Sequence, residues 1–539
     1  LYFNNFKDRL ANFYWTVVLL YMKSNIISAV ACSIFGVNMG MAQTDRPNII
    51  MFLVDDMGWQ DTSVPFNNGE VSALNHRYNT PNMERLAKLG VKFTQAYACA
   101  ISSPTRCSLM SGMNASRHRV TNWTLELDQK TDQTSDVIEL PEWNYNGIQP
   151  ENMNGVINHS TAITSLPQVL KNNGYKTIHC GKAHFGARTT PGADPSNMGF
   201  DVNIAGGANG APGSYLGTKN FGEGSMFAVK GLEKYHGQDI FLTEALTIEA
   251  IKEMKKAVEE NLPFYLYMSH YAVHTPIEDD KRFSDKYRGK YDEQLKRCLG
   301  EKEAKYAALV EGMDKSLGDI LDYVQSNPKL AQNTIILFMS DNGGQALEHC
   351  REGVPNRDPN YPARAGKGSS FMGGVREPMM VYWPHVTTPN SICSEKIMIE
   401  DFYPTIIEMA GINEYKTIQK IDGVSFVKCL KNVENVSENK SIVWHFPNLW
   451  GETQDIEEGY GAYSSILKGD YHLIYHWQNG KVRLYNIKED ISEQNDLAAE
   501  KPEIVKQLCK ELSDYLRERD AQRPSLKSTG MVLPYPDEL

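Results

Sequence analysis

The sequence of 539 residues lacks several features that would point to common function classes. It has no CxxC pair and no Cys/His spacing typical of zinc ligands, so neither a dithiol redox centre nor a zinc module is indicated. It has no long Lys/Arg run, and a net charge of −11 argues against non-specific binding of nucleic acid. With 41% hydrophobic and 22% charged residues and no low-complexity tract, the composition is that of a globular protein.

Near the N-terminus, no apolar run reaches the ~20 residues that a membrane-spanning helix needs. The run at 13–22 is shorter and is followed by polar residues, so we expect no stable membrane span. We interpret Met22–Ala42 as a secretory signal, because a positively charged start precedes an apolar run that ends in small residues. Residues 1–21 would then be an upstream extension. The expected location is secreted or periplasmic, with lipidation at Cys32 as the alternative.

The distribution of apolar residues divides the chain into two parts. From 47 to about 411, apolar strands alternate with helical periodicity, which predicts a large, mostly parallel sheet with helices on both faces. From about 436, short strands separated by turn signals precede a helix at 502–518, which predicts a smaller antiparallel sheet with one packed helix. We therefore predict an α/β catalytic domain over 43–435 and an α+β subdomain over 436–539.

Two predicted strands end in side chains that carry oxygen ligands. They are Asp55 and Asp56 after the run 47–54, and Asp341 and Asn342 after the run 334–340. Because functional residues of open α/β sheets collect at the carboxyl ends of strands, these side chains are expected at one edge. Oxygen ligands alone favour a hard cation, Ca²⁺ or Mg²⁺, over zinc or copper. A single Asp after a strand is more often a helix cap, so this prediction depends on both pairs together.

The segment 80–112 contains the pattern Ser-x-Pro-x-Arg-x-x-Leu-x-x-Gly, which begins at Ser102. Together with the two oxygen-ligand pairs, this pattern resembles the formylglycine-dependent sulfatases of the alkaline phosphatase superfamily. The resemblance covers nearly all of Arg46–Arg519 and implies an alkaline-phosphatase-like α/β fold. In that family the first residue of the pattern, cysteine or serine, is oxidised to formylglycine, an aldehyde. Here that residue is Ser102, as in serine-type bacterial members.

The resemblance implies a defined chemistry for Ser102. The aldehyde hydrates to a geminal diol; one hydroxyl attacks sulfur, and the other, once deprotonated, expels sulfate and restores the aldehyde. A divalent cation would polarise a sulfuryl oxygen and lower the pKa of the attacking hydroxyl. The implied metal ligands are Asp55, Asp56, Ser102, Asp341 and Asn342.

Other matches to the family motifs imply further catalytic residues. Arg106 and Lys182 would stabilise the diol and the metal-bound anion. His184 would accept the proton of the second diol hydroxyl, whose loss expels sulfate and restores the aldehyde. Lys367 and His274 would hold the sulfate and protonate the leaving oxygen. A lone histidine or lysine more often belongs to the core or to the solvated surface. Each role is therefore assigned only because the residue lies within a matching motif.

Two positions are less closely tied to the family pattern. Met372, in the Gly-rich loop that carries Lys367, replaces a residue that is often glutamate in the family. His445 is interpreted as a substrate contact reaching from the second domain, with a core histidine as the alternative.

Two other functions remain open for the whole chain. A metal-dependent phosphatase or phosphodiesterase of the same superfamily would use unmodified Ser102. Pro104 and Arg106 disfavour this alternative, because the modifying enzyme recognises these two residues. The second open function is that of a non-catalytic sugar-binding relative.

The resemblance implies sulfated carbohydrate substrates, with loops at 122–160 and 187–231 setting specificity. It also implies a radical-type maturation enzyme, since serine lacks the easily oxidised sulfur that the oxygen-dependent enzyme requires.

Overall fold

A computed structural model of the protein describes residues 46–346, 360–437, 439–451 and 455–539. The predicted extension at 1–21, the predicted signal Met22–Ala42 and Cys32 lie outside these residues. Within the described ranges, no helix combines the length and the apolar character needed to cross a bilayer.

Strands and helices alternate along most of the described chain. The strands are β1 (Asn48–Val54), β2 (Val91–Tyr97), β3 (Ile138–Glu139), β4 (Ile148–Pro150), β5 (Thr161–Ile163), β6 (Lys176–Gly181), β7 (Val202–Ile204), β8 (Phe264–Ser269), β9 (Tyr291–Asp292), β10 (Arg297–Cys298), β11 (Thr334–Ser340), β12 (Arg376–Tyr382), β13 (Ser391–Cys393), β14 (Ile397–Met398), β15 (Ser441–Phe446), β16 (Tyr463–Lys468), β17 (Tyr471–His476), β18 (Val482–Asn486) and β19 (Ser525–Leu526). The helices are α1 (Ala73–Arg77), α2 (Pro81–Leu89), α3 (Ser102–Ser111), α4 (Ala115–His118), α5 (Leu166–Asn172), α6 (Leu242–Glu259), α7 (Glu301–Ser326), α8 (Pro328–Gln332), α9 (Met372–Val375), α10 (Phe402–Met409), α11 (Val427–Lys431) and α12 (Pro502–Glu518). This order confirms the predicted α/β class.

The main sheet has nine strands in the order β13-β2-β12-β11-β1-β8-β6-β7, with β14 also pairing with β2. All pairings are parallel except those of β12, which runs antiparallel to β11 and β2. Every residue of β1, β8 and β11 is buried, so both faces of the sheet centre are covered. The predicted large, mostly parallel sheet is therefore confirmed.

The register of the central strands brings their carboxyl ends to one edge. Val54 of β1 pairs with Ser340 of β11, and Gly181 of β6 pairs with Ser269 of β8. At Gly181 the backbone has φ 104°, and a Cβ there would lie 1.9 Å from the Ser269 carbonyl oxygen. Only glycine therefore lets the chain turn here, where the Lys182 N–H donates to that same carbonyl at 2.7 Å.

A second sheet, antiparallel and four-stranded, has the order β15-β16-β17-β18. Leucines of α12 share an apolar cluster with residues of this sheet, which confirms the predicted C-terminal α+β arrangement. The Trp444 indole N–H donates to the Ala98 carbonyl at 2.8 Å. Because Ala98 immediately follows β2, this bond attaches the small sheet to the segment that leads into α3.

Candidate active site

The side chains that follow β1 and β11 lie together at the carboxyl edge of the main sheet. Carboxylate oxygens of Asp55, Asp56 and Asp341 lie within 4.8 Å of one another, and all three residues are buried. The Asp56 N–H donates to Asp341 Oδ1 at 3.1 Å, and Asn342 Nδ2 donates to Asp56 Oδ1 at 2.8 Å. The predicted oxygen ligands are thus held in one group by their own hydrogen bonds.

Ser102 contacts this group from the first residue of α3. Its Oγ lies 3.2 Å from Asp55 Oδ1 and 3.1 Å from Asn342 Oδ1, and either oxygen can accept its hydrogen. Lys182 Nζ donates to the same Oγ at 3.0 Å. The N-terminus of a helix also favours negative charge, so Lys182 and the start of α3 together stabilise a nucleophilic oxygen at this position.

The rest of the Ser-x-Pro-x-Arg pattern shapes the helix that presents Ser102. Pro104 lies in the first turn of α3, where its missing N–H costs no helical hydrogen bond. Gly112 ends the helix in the left-handed conformation, with φ 68°, and donates its N–H to the Ser108 carbonyl. A Cβ at Gly112 would lie 2.9 Å from the Tyr403 ring, so the space excludes a side chain as well.

Arg106 lies one turn after Ser102 and is fully buried. Its Nε and Nη2 donate to Asp341 Oδ2 at 3.0 and 2.7 Å, and its Nη1 donates to the Lys182 carbonyl at 3.1 Å and to Ser269 Oγ. Burial opposes its charged form, but Asp341 outweighs burial and keeps the pKa of Arg106 above its usual value. Arg106 therefore orients a metal-ligand candidate and links three strand ends.

Two lysines neutralise the remaining carboxylates. Lys182 Nζ donates to both oxygens of Asp55 at 2.8 Å, and Lys367 Nζ lies 2.7 Å from Asp56 Oδ1. Burial lowers the pKa of Lys182 to about 8 and raises that of Asp55 to about 8. For Lys367, burial opposes the charge, but Asp56 outweighs it and the pKa rises.

The donor set fits a hard divalent cation. Three carboxylates and the Asn342 amide oxygen converge, which is the ligand chemistry that Ca²⁺ and Mg²⁺ prefer. When Asp55 is ionised, as a metal ligand is, the three acidic charges are matched by those of Arg106, Lys182 and Lys367. A divalent cation added to this balanced group gives the site a net positive charge, which suits an anionic substrate.

His184 is held as a neutral base beside these cations. Its Nε2–H donates to the Thr124 carbonyl at 2.9 Å, which places the lone pair on Nδ1. Nδ1 is buried and has no hydrogen-bond partner among the described residues. Burial and then Lys182 lower the pKa of His184 well below its usual range. An unpaired acceptor nitrogen is what the predicted proton-accepting role requires.

His274 lies beside Asp56. Its Nδ1–H donates to the Thr275 carbonyl at 2.9 Å, and its Nε2 lies 3.6 Å from Asp56 Oδ2. Burial lowers the pKa of His274 to about 4, although Asp56 acts in the opposite direction. In the neutral form Nε2 has no proton, so donation to a leaving oxygen requires that an arriving anion raise this pKa.

His445 forms its hydrogen bonds with partners other than the residues above. Its Nδ1 lies 2.8 Å from Ser464 Oγ and its Nε2 donates to the Gln522 carbonyl at 2.9 Å, so both ring nitrogens have protein partners. This is the arrangement of the core-histidine alternative. Later in the same segment, the Trp450 ring centroid lies 5.7 Å from Lys367 Nζ, a contact that the sequence patterns did not predict.

Other supporting residues were also missed by sequence patterns. Ser269 and Thr124 hold Arg106 and His184 through the bonds given above. Tyr215 donates to the Tyr271 and His274 carbonyls at 2.6 and 2.8 Å and so fixes the loop that carries His274. Thr124 and Tyr215 had a signal, because they lie in the loops at 122–160 and 187–231 that were expected to set specificity.

Two family profiles match the sequence. The profile described as "Sulfatase" matches residues 47–412, and the profile described as "N-sulphoglucosamine sulphohydrolase, C-terminal" matches residues 368–522. The first match contains every predicted metal-ligand position and every predicted catalytic position. The predicted substrate contact, His445, lies within the second match.

Individual proteins and solved structures are similar over most of the chain. A "Sulfatase" from Formosa agariphila is 28% identical over 501 residues, covering 85% of each chain. The human "N-acetylgalactosamine-6-sulfatase" is 28% identical over 398 residues, covering 71% of this chain and 66% of the human protein. The crystal structure of Ps i-CgsB in complex with k-i-k-neocarrahexaose superposes with a TM-score of 0.65 at 24% identity, covering 88% of this chain and 93% of that one. That structural likeness concerns the fold.

Proposed function

This chain belongs to the sulfatase family and is a sulfuric ester hydrolase, and we propose that its substrates are sulfated carbohydrates. Two of the similar proteins support this substrate class: one is named for a sulfated amino sugar, and one was crystallised with a neocarrahexaose. The net positive charge expected of the metal-loaded site suits a sulfate ester, which is an anion.

The observation that carries the proposed mechanism is the position of Ser102. Its Oγ is in contact with Asp55, Asn342 and Lys182 at once, at 3.0–3.2 Å. We propose that Ser102 is converted to formylglycine, whose hydrated form supplies the attacking hydroxyl and the second hydroxyl needed for release of sulfate. A bound Ca²⁺ or Mg²⁺ would polarise the sulfuryl oxygens and favour ionisation of the attacking group.

The protein's own side chains then have distinct tasks in this proposal. Lys182 hydrogen bonds the reacting oxygen at position 102, and Arg106 fixes Asp341. His184 takes a proton at Nδ1, its only free ring nitrogen among the described residues. Lys367 pairs with the sulfate, and His274 delivers a proton from Nε2 to the leaving oxygen.

The proposal includes a location and a processing partner. A secreted or periplasmic protein is expected from the signal interpretation of Met22–Ala42, with lipidation at Cys32 as the alternative. Oxidation of serine 102 would need a radical-type maturation enzyme, since serine has no sulfur to be oxidised. These points rest on sequence patterns and on the chemistry of serine.

Expression with and without a radical-type maturation enzyme tests the mechanism. Without the enzyme, the protein should fold, bind Ca²⁺ and lack activity, and its Ser102 peptide should have the unmodified mass. With the enzyme, that peptide should lose two hydrogens and sulfate-ester hydrolysis should appear. Ser102→Cys should be activated by the oxygen-dependent enzyme in an aerobic host, whereas Ser102→Ala should stay inactive in every host.

Two outcomes would select the alternative functions. Full activity with an unmodified Ser102, above all on phosphate esters, would favour the superfamily phosphatase or phosphodiesterase. Binding of sulfated sugars without hydrolysis, by protein whose Ser102 is shown to be converted, would favour the sugar-binding relative.

A further inference from the structure

The loop after β15 places a tryptophan beside the proposed sulfate site. Gly368 follows Lys367 with φ 87°, and a Cβ at this position would lie 2.2 Å from Trp450 Cε3. The missing side chain therefore lets the indole lie directly against the Gly368 backbone. In this position the ring centroid is 5.7 Å from Lys367 Nζ, within the range of a cation–π contact.

This contact connects the indole to the catalytic edge. The same Lys367 Nζ lies 2.7 Å from Asp56 Oδ1, one of the predicted metal ligands. A sulfate held by Lys367 would bring the sugar that carries it next to Trp450. The Trp450 side chain is only half-buried, so part of the indole is available to a ligand.

The two residues that precede Trp450 are anchored by hydrogen bonds. Asn448 Nδ2 donates to Asp132 Oδ1 at 2.8 Å, and the Gln133 N–H donates to the Leu449 carbonyl at 3.0 Å. Asp132 also accepts from the Trp143 indole at 2.7 Å, which fixes the carboxylate. The chain that leads into Trp450 is thus fixed, which lowers the entropic cost of binding a ligand against the indole.

We propose that Trp450 is a platform on which the pyranose ring of the substrate stacks, an inference that rests on the proposed action on sulfated carbohydrates. A pyranose offers an apolar face of C–H groups, and an indole offers a flat apolar face of similar width. The platform would select sulfate esters carried on a sugar ring over those carried on an acyclic alcohol. It lies in the segment where His445 was predicted to touch substrate, but acts through a different residue.

Binding to protein with unmodified Ser102 tests the platform without turnover. Calorimetric titrations with Ca²⁺ present would use N-acetylgalactosamine 6-sulfate, galactose 4-sulfate and inorganic sulfate as probes. Trp450→Ala should weaken binding of whichever sulfated sugar the wild type binds by about tenfold, because a stacked ring is lost, and leave inorganic sulfate unchanged. Trp450→Phe should recover most of the affinity. Trp383→Ala is a matched control, since Trp383 is also half-buried but follows the far end of β12.

The competing role is positioning of Lys367 through the cation–π contact. In that case Trp450→Ala would weaken the binding of inorganic sulfate and of sulfated sugars equally, and the platform proposal would be wrong. Unchanged binding of all probes by Trp450→Ala, or a wild type that binds neither sugar sulfate, would also overturn it. Failure of the proposed function would give a different result: protein whose Ser102 is converted to formylglycine would hydrolyse no sulfate ester.

Discussion

Ionisable side chains are buried in both sheets, but their partners differ. At the carboxyl edge of the main sheet, Asp55, Asp56 and Asp341 share three cations, and several of these groups have more than one charged neighbour. In the four-stranded sheet, His445 bonds Ser464 and Gln522, and His472 Nδ1 lies 2.6 Å from Glu493 Oε1. These two histidines bond local partners, whereas His476 of the same sheet is buried with neither ring nitrogen hydrogen-bonded among the described residues.

This difference separates a reactive site from structural polar contacts. Burying an ionisable group costs free energy in either place, and both sheets meet part of that cost with hydrogen bonds. Buried ring nitrogens without a hydrogen-bond partner among the described residues occur at His184 Nδ1 and also at His476 of the small sheet. What distinguishes the main sheet is that Asp55, Asp56 and Asp341 lie together, with carboxylate oxygens within 4.8 Å of one another. A change at the catalytic edge should therefore affect several properties at once, whereas a change in the small sheet should stay local.

The largest expected effect is that of Asp341→Ala. It removes a charged ligand candidate and leaves the Arg106 guanidinium without its bond to Asp341 at 2.7 Å. We expect loss of bound Ca²⁺ and a decrease in kcat/KM of about 10³-fold or more, measured by metal analysis and steady-state kinetics on converted protein. Metal content equal to that of the wild type would contradict the ligand assignment.

A second buried Asp–Arg pair provides a matched control for that experiment. Arg77 Nε lies 2.7 Å from Asp292 Oδ2, and both side chains are almost fully buried. Asp292→Ala should therefore lose stability as Asp341→Ala does, by about 3–5 kcal/mol for a broken buried pair, but keep metal and activity. If it also lost metal, the effect of Asp341→Ala would reflect general destabilisation.

An intermediate and substrate-dependent effect is expected for His274→Ala. If His274 protonates the leaving oxygen, a sugar sulfate should lose about 10²–10⁴-fold in kcat, because an alkoxide is a poor leaving group. Hydrolysis of 4-nitrophenyl sulfate, whose leaving group needs little protonation, should change much less. Equal losses on both substrates would assign His274 a binding role.

His270 is the control for His274. It is fully buried four residues earlier, and its Nε2 lies 2.8 Å from Ser316 Oγ in the core. His270→Gln should lower stability without distinguishing the two substrates. A substrate-dependent loss in this variant would mean that the contrast at position 274 comes from distortion of the loop.

The sequence predicted the parts of the site that follow buried strands. Asp55 and Asp341 come directly after apolar runs, and parallel strands bring such positions to one edge. The Ser-x-Pro-x-Arg pattern likewise identified Ser102 and Arg106, which the structure places one turn apart on α3. The strand-end prediction needed only local patterns and a rule about sheets, whereas the roles of Ser102 and Arg106 came from the family resemblance.

Contacts between the two sheets could not be predicted in this way. Trp450 reaches Lys367 only because the small sheet packs beside the β2–α3 segment, through the bond from Trp444 to Ala98. Nothing local to residue 450 encodes that packing. The substrate-contact prediction at His445 chose a residue of the same segment, but the side chain's two hydrogen bonds lie within the small sheet and its neighbours.

The smallest effect on activity is expected for His445→Gln. Glutamine can still donate to the Gln522 carbonyl, but the bond to Ser464 and the packing against the Trp477 ring are altered. We expect kcat/KM on sugar sulfates to stay within about twofold and the free energy of unfolding at pH 8 to fall by roughly 1–2 kcal/mol. A large rise in KM for sugar sulfates would support the prediction that His445 contacts substrate.

The difference in stability between wild type and His445→Gln should also depend on pH. Burial lowers the pKa of His445 from 6.5 to about 3, so below pH 6.5 the unfolded chain takes up a proton that the folded protein does not. The wild type therefore loses stability as pH falls from 6.5 toward 3, and glutamine, which does not titrate, avoids this loss. Between pH 6.5 and pH 5, denaturant unfolding should show the stability of the wild type relative to the variant falling by about 1.6 kcal/mol, enough to cancel or reverse the difference. A difference that stays constant over this range would mean that His445 is protonated in the folded protein.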